Sequence, residues 1–222
     1  MLFKSRLISI GHDIEFISTD DKKSESWYIF VSVLDKLYAI LNTNTMSQSA
    51  TLYRISNDTF RQLETSADRP QFEISSAKDY TTFQGSFMGL EYILSKGQDI
   101  SITEIFNEIF NPTKSLGGQG IEKLSLEEQM EIYENGGDIY YLDTTTISKL
   151  NNLLDTFSET DIQTKYDANE LNDNGIYPSV WHNDNSPDQA YNKRHIIEDF
   201  TELKKIINQA REDNDYIFVF VG

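Results

Sequence analysis

The stretch Tyr216-Ile217-Phe218-Val219-Phe220-Val221 decides the fold. An unbroken run of aromatic and β-branched residues, with no polar alternation, is the pattern of a strand covered on both faces. Such a strand lies inside a sheet and needs a helical layer on each side, so the chain reads as α/β with this strand interior. Asp213-Asn214-Asp215 just before it is a turn. Further back, Ile196, Phe200, Leu203, Ile207 and Ala210 recur at helical spacing, with Glu198, Glu202 and Lys205 opposite them. Pro187, following Ser186, fits the first position of this helix, where a missing N–H does no harm.

Gly175-Ile176-Tyr177-Pro178-Ser179-Val180-Trp181-His182 separates that helix and strand from a run of short helices and turns. Tyr177, Pro178, Trp181 and His182 are the candidate binding residues: two aromatic faces, a rigid ring, and an imidazole near Asp184. The competing reading is structural. Pro fixes φ in an entry turn, while Tyr and Trp pack on the core, which is the commoner use of such large side chains.

Upstream, Ala50 to Ile55 alternates as a strand, and Ser56 caps a short helix carrying Phe60 and Leu63. Ser66 to Ser76 is a loop. Phe83, Phe87, Leu90 and Leu94 are spaced as one helical stripe that stops at Gly97. Ser101 to Glu104 and Ser125 to Glu128 are capping boxes, opening one helix closed by Asn111-Pro112 and another reaching about Tyr133. Asp138 to Leu142 reads as a strand, Thr145 to Phe157 as a helix, and Ser158 and Asp167 as caps of two shorter helices. Residues 1–45 differ: Leu7 to Ile10 suits a strand, Asp20 to Ser26 a linker, and Trp27 to Leu41 either a helix or a strand. The pattern sharpens from Met46 onward.

The chain has 222 residues and a net charge of −17, with no Cys. That length supports a core burying roughly two-thirds of the unfolded surface. The acidity argues against nucleic-acid binding, since a phosphate backbone would be repelled. It favours encounter with a basic protein partner. The absence of Cys removes disulfides, thiolate nucleophiles and Cys-based metal sites. No secretory signal and no membrane span is legible, so the expected location is the cytoplasm.

Other chemistry is weakly supported. Gly117-Gly118-Gln119-Gly120 lacks the Lys-Ser/Thr ending of a phosphate loop, and no Gly-x-Ser-x-Gly elbow occurs. A calcium loop with Glu170, Asn172 and Asn174 at its odd positions would place Trp181 where the bidentate Glu belongs. His182, Asp184 and Asp188 lack a second His at metal-binding spacing. The expectation is therefore no metal, no cofactor and no catalytic residue.

Taken in order, these features resemble the YfbM-like family of bacterial proteins, a domain of unknown function. The resemblance spans about residues 46–222. It rests on the strand Ala50 to Ile55, the run Phe83 to Leu94, Gly117-Gly118, Tyr141-Leu142 with the Ile147 to Leu154 helix, Ile176-Tyr177-Pro178 with Trp181, and the terminal helix and strand. It implies a three-layer α/β/α fold with a mixed sheet, and no established activity. In that family the helix matching Phe83 to Leu94 carries a Trp and a His; Phe87 and Glu91 stand in those places here, which adds Glu91 to the candidate binding residues. The resemblance also implies a domain over residues 46–222, with residues 1–45 an extension or the product of a misassigned start. Without them the net charge is −16. The expected function is a non-catalytic protein-binding module, of the toxin-neutralising or immunity type. The alternative is a small-molecule enzyme with its pocket near Tyr177, Trp181 and His182.

Overall fold

A computed structural model describes residues 4–9, 12–17, 48–66, 70–117, 125 and 138–222. The expectations for Asp20 to Ser26, Trp27 to Leu41, Gly118 to Gly120 and nearly all of the helix from Ser125 to Tyr133 lie outside them. The chain divides into two units, Met1–Met46 and Ser47–Gly222. In the first, β1 (Lys4–Ser9) pairs antiparallel with β2 (His12–Ile17), Lys4 opposite Ile17.

The second unit is built on a five-stranded sheet. Its strands are β3 (Ser49–Ile55), β4 (Asp79–Gln84), β5 (Lys114–Leu116), β6 (Ile139–Leu142) and β7 (Tyr216–Val221), in the spatial order β4-β3-β7-β6-β5. The expected interior strand is therefore the middle one. It pairs with β3 on one side, Leu52 opposite Val219, and with β6 on the other, Tyr141 opposite Phe218. The α/β class holds. One detail differs from what the resemblance implied: all four pairings are antiparallel, so the sheet is not mixed. Strand periodicity encodes which face is buried but not the direction of the neighbour.

Alternate residues of β7 feed two cores. Ile217 and Val219 face a large one made with α2 (Phe87–Ser95), α3 (Ile100–Asn107), α4 (Thr144–Leu154), α5 (Glu159–Lys165), α6 (Ala168–Asp173) and α7 (Lys193–Asp213). Tyr216 and Phe218 face a smaller, aromatic one under α1 (Asn57–Glu64) and the segment 70–77. There Phe60 stacks on Tyr216 at 3.6 Å between ring centroids, and Phe72 meets Phe218 edge-on at 5.2 Å. Each fully buried Leu, Ile or Phe contributes about 1.5–3 kcal/mol. The sheet is thus covered on both sides, one layer much thicker than the other.

Several local expectations hold for stated reasons. Ser56 Oγ accepts from Thr59 N, and Ser158 with Asp161 forms a reciprocal capping box. Asp167 caps α6, and Asn214 ends α7 in the left-handed conformation at φ 54. Three boundaries differ. Phe83 lies on β4 rather than on a helix; Gly85, at φ +72, turns the chain, and α2 begins only at Phe87. Strand and helix face one core, so Phe83 and Phe87 meet Phe110 together and mimic a helical stripe. Next, α3 starts at Ile100 after Asp99, ahead of the capping box read at Ser101. Finally, Pro187 lies in a loop. Asn192, not Ser186, caps α7, its side chain accepting from His195 N at 3.2 Å.

Candidate functional site

Of the 176–182 motif, Tyr177 and Trp181 pack at the start of α2, Tyr177 against Gly85 just before it and Trp181 against Gly89. Trp181 is 3% exposed, its indole N–H donates to the Ile176 carbonyl at 2.8 Å, and its amide N–H donates to Asn172 Oδ1. Its ring lies so close to Gly89 that a Cβ there would collide with the outer indole carbons. Tyr177 accepts from the Gln48 amide at 3.1 Å, and the Tyr177–Pro178 peptide bond is cis. His182 is fixed by its backbone: its N–H donates to the Tyr191 carbonyl at 2.9 Å, and its carbonyl accepts from the Tyr166 hydroxyl at 2.7 Å. Burial pushes that phenol up to about 12. Asp184 Oδ1 accepts from Ser186 N and Asn192 Nδ2, which closes the loop toward α7. These contacts make Trp181 a packing residue and leave Val180, 51% exposed, at the outer tip.

Glu91 does not join this group. Successive helix residues turn by roughly 100°, so Gly89 under Trp181 and Glu91 lie about 160° apart around α2. Glu91 is instead one turn beyond Phe87, on the flank where Phe87 meets Phe110 at 5.2 Å. It is partly buried and forms no ion pair or hydrogen bond among the described residues. Burial alone pushes its carboxyl up to about 7.

Sequence reading missed a polar cluster at the same end of α2. Ser86 is fully buried where β4 turns into the helix, and Asp199, 9% exposed, reaches it from α7. Neither Ser86 Oγ nor Asp199 Oδ2 completes a hydrogen bond with another protein group. One turn before Asp199, His195 Nδ1 accepts from the Tyr191 N–H at 3.3 Å, and the two rings lie 6.0 Å apart. Ser86 Oγ is not bonded to an imidazole, and His195 Nδ1 is taken by the Tyr191 N–H, whereas a hydrolytic triad puts the imidazole between hydroxyl and carboxylate. The signal available in sequence was an Asp at position 199, one residue before the core residue Phe200, on a stripe that should be apolar.

A depression of about 210 Å³ lies elsewhere, between α3 and α4, lined by Ser101, Glu104, Ile105, Glu108, Thr113, Thr146 and Lys149. It is smaller than the roughly 300–1,000 Å³ of ordinary ligand sites. Glu108 there already accepts from Thr113 N at 3.0 Å. Among the described residues, no group of three His, Asp or Glu is placed to hold a metal ion, and no helix is long and apolar enough to cross a membrane.

Fold and site together define an α/β domain whose aromatic motif locks a loop onto a helix. The chain belongs to the DUF1877 family, a domain of unknown function, whose model matches residues 46–220. A solved structure, that of the protein of unknown function YfbM from Escherichia coli, is similar over 78% of this chain and 99% of that one. The two are 13% identical, with a TM-score of 0.49. No curated protein matches the chain.

Proposed function

We propose that the domain is a cytoplasmic binding module for a basic protein, of the kind that neutralises a toxin or confers immunity to one. The observation that supports this is how charge is distributed. Arg54, Arg61, Lys78, Lys96, Lys114, Arg194, Lys204 and Lys205 are each ion-paired with the domain's own carboxylates. Little positive charge is left to offset the rest. From Ser158 to Asn192 the sole Lys or Arg is Lys165, while Glu159, Asp161, Asp167, Asp173, Asp184 and Asp188 are exposed. Such a field draws in a cationic surface over about 8 Å at physiological salt. It raises the association rate more than the final affinity.

The test is capture from an extract of the native host at low and high salt. A basic protein should be retained at low salt and lost as salt rises. Its association with the purified domain should slow at least several-fold when Asp173, Asp184 and Asp188 are replaced by Lys. Capture that ignores both salt and these substitutions would overturn the electrostatic mechanism. Absence of any partner at either salt, with turnover of a metabolite, would replace it with an enzyme working near Tyr177, Trp181 and His182.

A further inference from the structure

We propose that the outer edge of β4 takes up an extended, cationic segment of a partner protein as a further strand of the sheet; this rests on the binding function proposed above and names the surface that performs it. β4 and β5 are the two edge strands. An edge strand exposes a row of unpaired backbone groups, and proteins blunt it by keeping it short or by placing Lys or Pro on it. β5 is protected in this way: it has three residues and carries Lys114. β4 has six, Asp79-Tyr80-Thr81-Thr82-Phe83-Gln84, with neither Lys nor Pro among them. Its protection is confined to the start, where Lys78 precedes it and Asp79 Oδ1 accepts from the Tyr80 N–H at 2.9 Å.

The bonding of the inner strands fixes which groups of β4 point outward. In an antiparallel ladder, alternate residues bond to opposite neighbours. Ser49 and Gly222 exchange both bonds, at 2.6 and 3.0 Å. Thr51 and Tyr53, opposite Phe220 and Phe218 in the same register, therefore bond to β7 as well. Ala50, Leu52 and Arg54 are left to bond to β4, opposite Phe83, Thr81 and Asp79. Tyr80, Thr82 and Gln84 thus turn their N–H and C=O groups away from β3. Apart from the Tyr80 N–H, none of these groups has a partner among the described residues.

Side chains and charge determine what kind of strand fits. Tyr80 is 62% exposed and lies at the outer end of an aromatic row: its ring is 5.7 Å from that of Tyr53, which in turn is 5.7 Å from Phe220 and 5.2 Å from Phe72. A Lys or Arg on the same face of an added strand comes within reach of the Tyr80 ring and gains a cation–π contact. The Thr82 hydroxyl does not obstruct the approach, because it is bonded inward to Thr51 Oγ1 at 3.0 Å. The chain's net charge of −17 draws in a cationic segment. The same charge disfavours a second copy in this place, since joining two such edges brings two domains of like charge together.

The experiment uses the full chain and a capped peptide of alternating Lys and Val, of ordinary strand length, beside a fully N-methylated version that keeps the charge and loses every backbone donor. Amide exchange is read residue by residue by NMR, and affinity by the anisotropy of labelled peptide at low and high salt. Before peptide is added, the Thr82 and Gln84 amides should exchange much faster than those of Thr81 and Phe83. Peptide should slow them several-fold, and its affinity should fall as salt rises. Thr82→Pro removes an outward N–H and spares the ladder to β3, so it should weaken binding several-fold, whereas Thr82→Val should bind like the parent. The N-methylated peptide should bind as poorly as the unmodified one does to Thr82→Pro, and it decides the matter if that variant does not fold. Thr82 and Gln84 amides already protected in the chain alone, binding that ignores both Thr82→Pro and N-methylation, or no binding of the peptide, would overturn the edge site. Self-association that Thr82→Pro abolishes would give the edge to a second copy and overturn the cationic strand. Salt-sensitive capture of a basic host protein that persists in Thr82→Pro would sink the edge site and leave the binding function standing.

Discussion

Glu91 shows how one half-dry carboxyl shapes stability with pH. Its folded pKa, about 7, lies above the ordinary value of 4.5 because burial disfavours the charge. The folded state therefore holds the proton more tightly than the unfolded chain. The stability linked to it is fully present below about pH 4.5 and is lost as pH rises through about 7. After allowance for partial solvent screening, that loss is about 2 kcal/mol. Glu91→Gln should remove this loss. Urea melts should then find the variant more stable than the parent by about 1–2 kcal/mol at pH 8 and equal to it near pH 4.5. Equal pH profiles would show that Glu91 does not carry the effect. At this scale the sequence was legible for apolar residues and much less so for polar ones. Ile196, Phe200, Leu203, Ile207 and Ala210 are all buried as their spacing implies. Asp199 does fall on the apolar stripe, three residues after Ile196, but a single polar residue there can equally mark the edge of the solvated face, and no periodicity marks Ser86.

Among elements, the join between α7 and the sheet carries the most concentrated charge. Arg54 on β3 meets Asp213 at 2.5 Å and Asp215 at 3.0 Å, and Lys78 meets both at 2.8 Å. Asp215 is 2% exposed, so it depends on these partners for its charge. Arg54→Met should cost about 1.5–3 kcal/mol, because Asp215 loses its more buried cationic partner but keeps Lys78. Chemical denaturation should read that loss, with Lys78→Met costing less because its side chain is 37% exposed. A loss under 1 kcal/mol for Arg54→Met would mean the cluster is screened like a surface pair. Element boundaries explain the local misreadings too. Ser186-Pro187 carries a strong helix-start signature, yet the helix waits for Asn192. Asn192 is fully buried, and its amide also donates to the Ser186 carbonyl at 2.9 Å, so tertiary contacts choose between two acceptable caps. The run Asp79-Tyr80-Thr81-Thr82-Phe83 offered aromatic and β-branched residues suited to a strand, but the spacing of Phe83 and Phe87 outvoted them.

For the whole molecule, the match over residues 46–220 and the division after Met46 motivate an expression test. Met46–Gly222 alone should be soluble and melt within a few degrees of the full chain. Insolubility, or a melting temperature lower by more than about 10 °C, would assign residues 1–45 to the stable fold. The class of fold and its central strand were legible because β7 has no polar face to leave exposed. Strand direction was not, because it depends on how the intervening helices return the chain. That return has a consequence for biosynthesis. β3 and β7 pair across about 160 residues of chain. While a ribosome makes everything in between, the β3–β4 pair has nothing to complete its inner edge, and the apolar side chains destined for β7 have not yet been made. The sheet closes late in synthesis, through contacts of high sequence separation that are slow to form. Until then the nascent chain offers an open edge to other chains, so its yield in a cell depends on how crowded with partly made copies, and how well supplied with chaperones, that interval is.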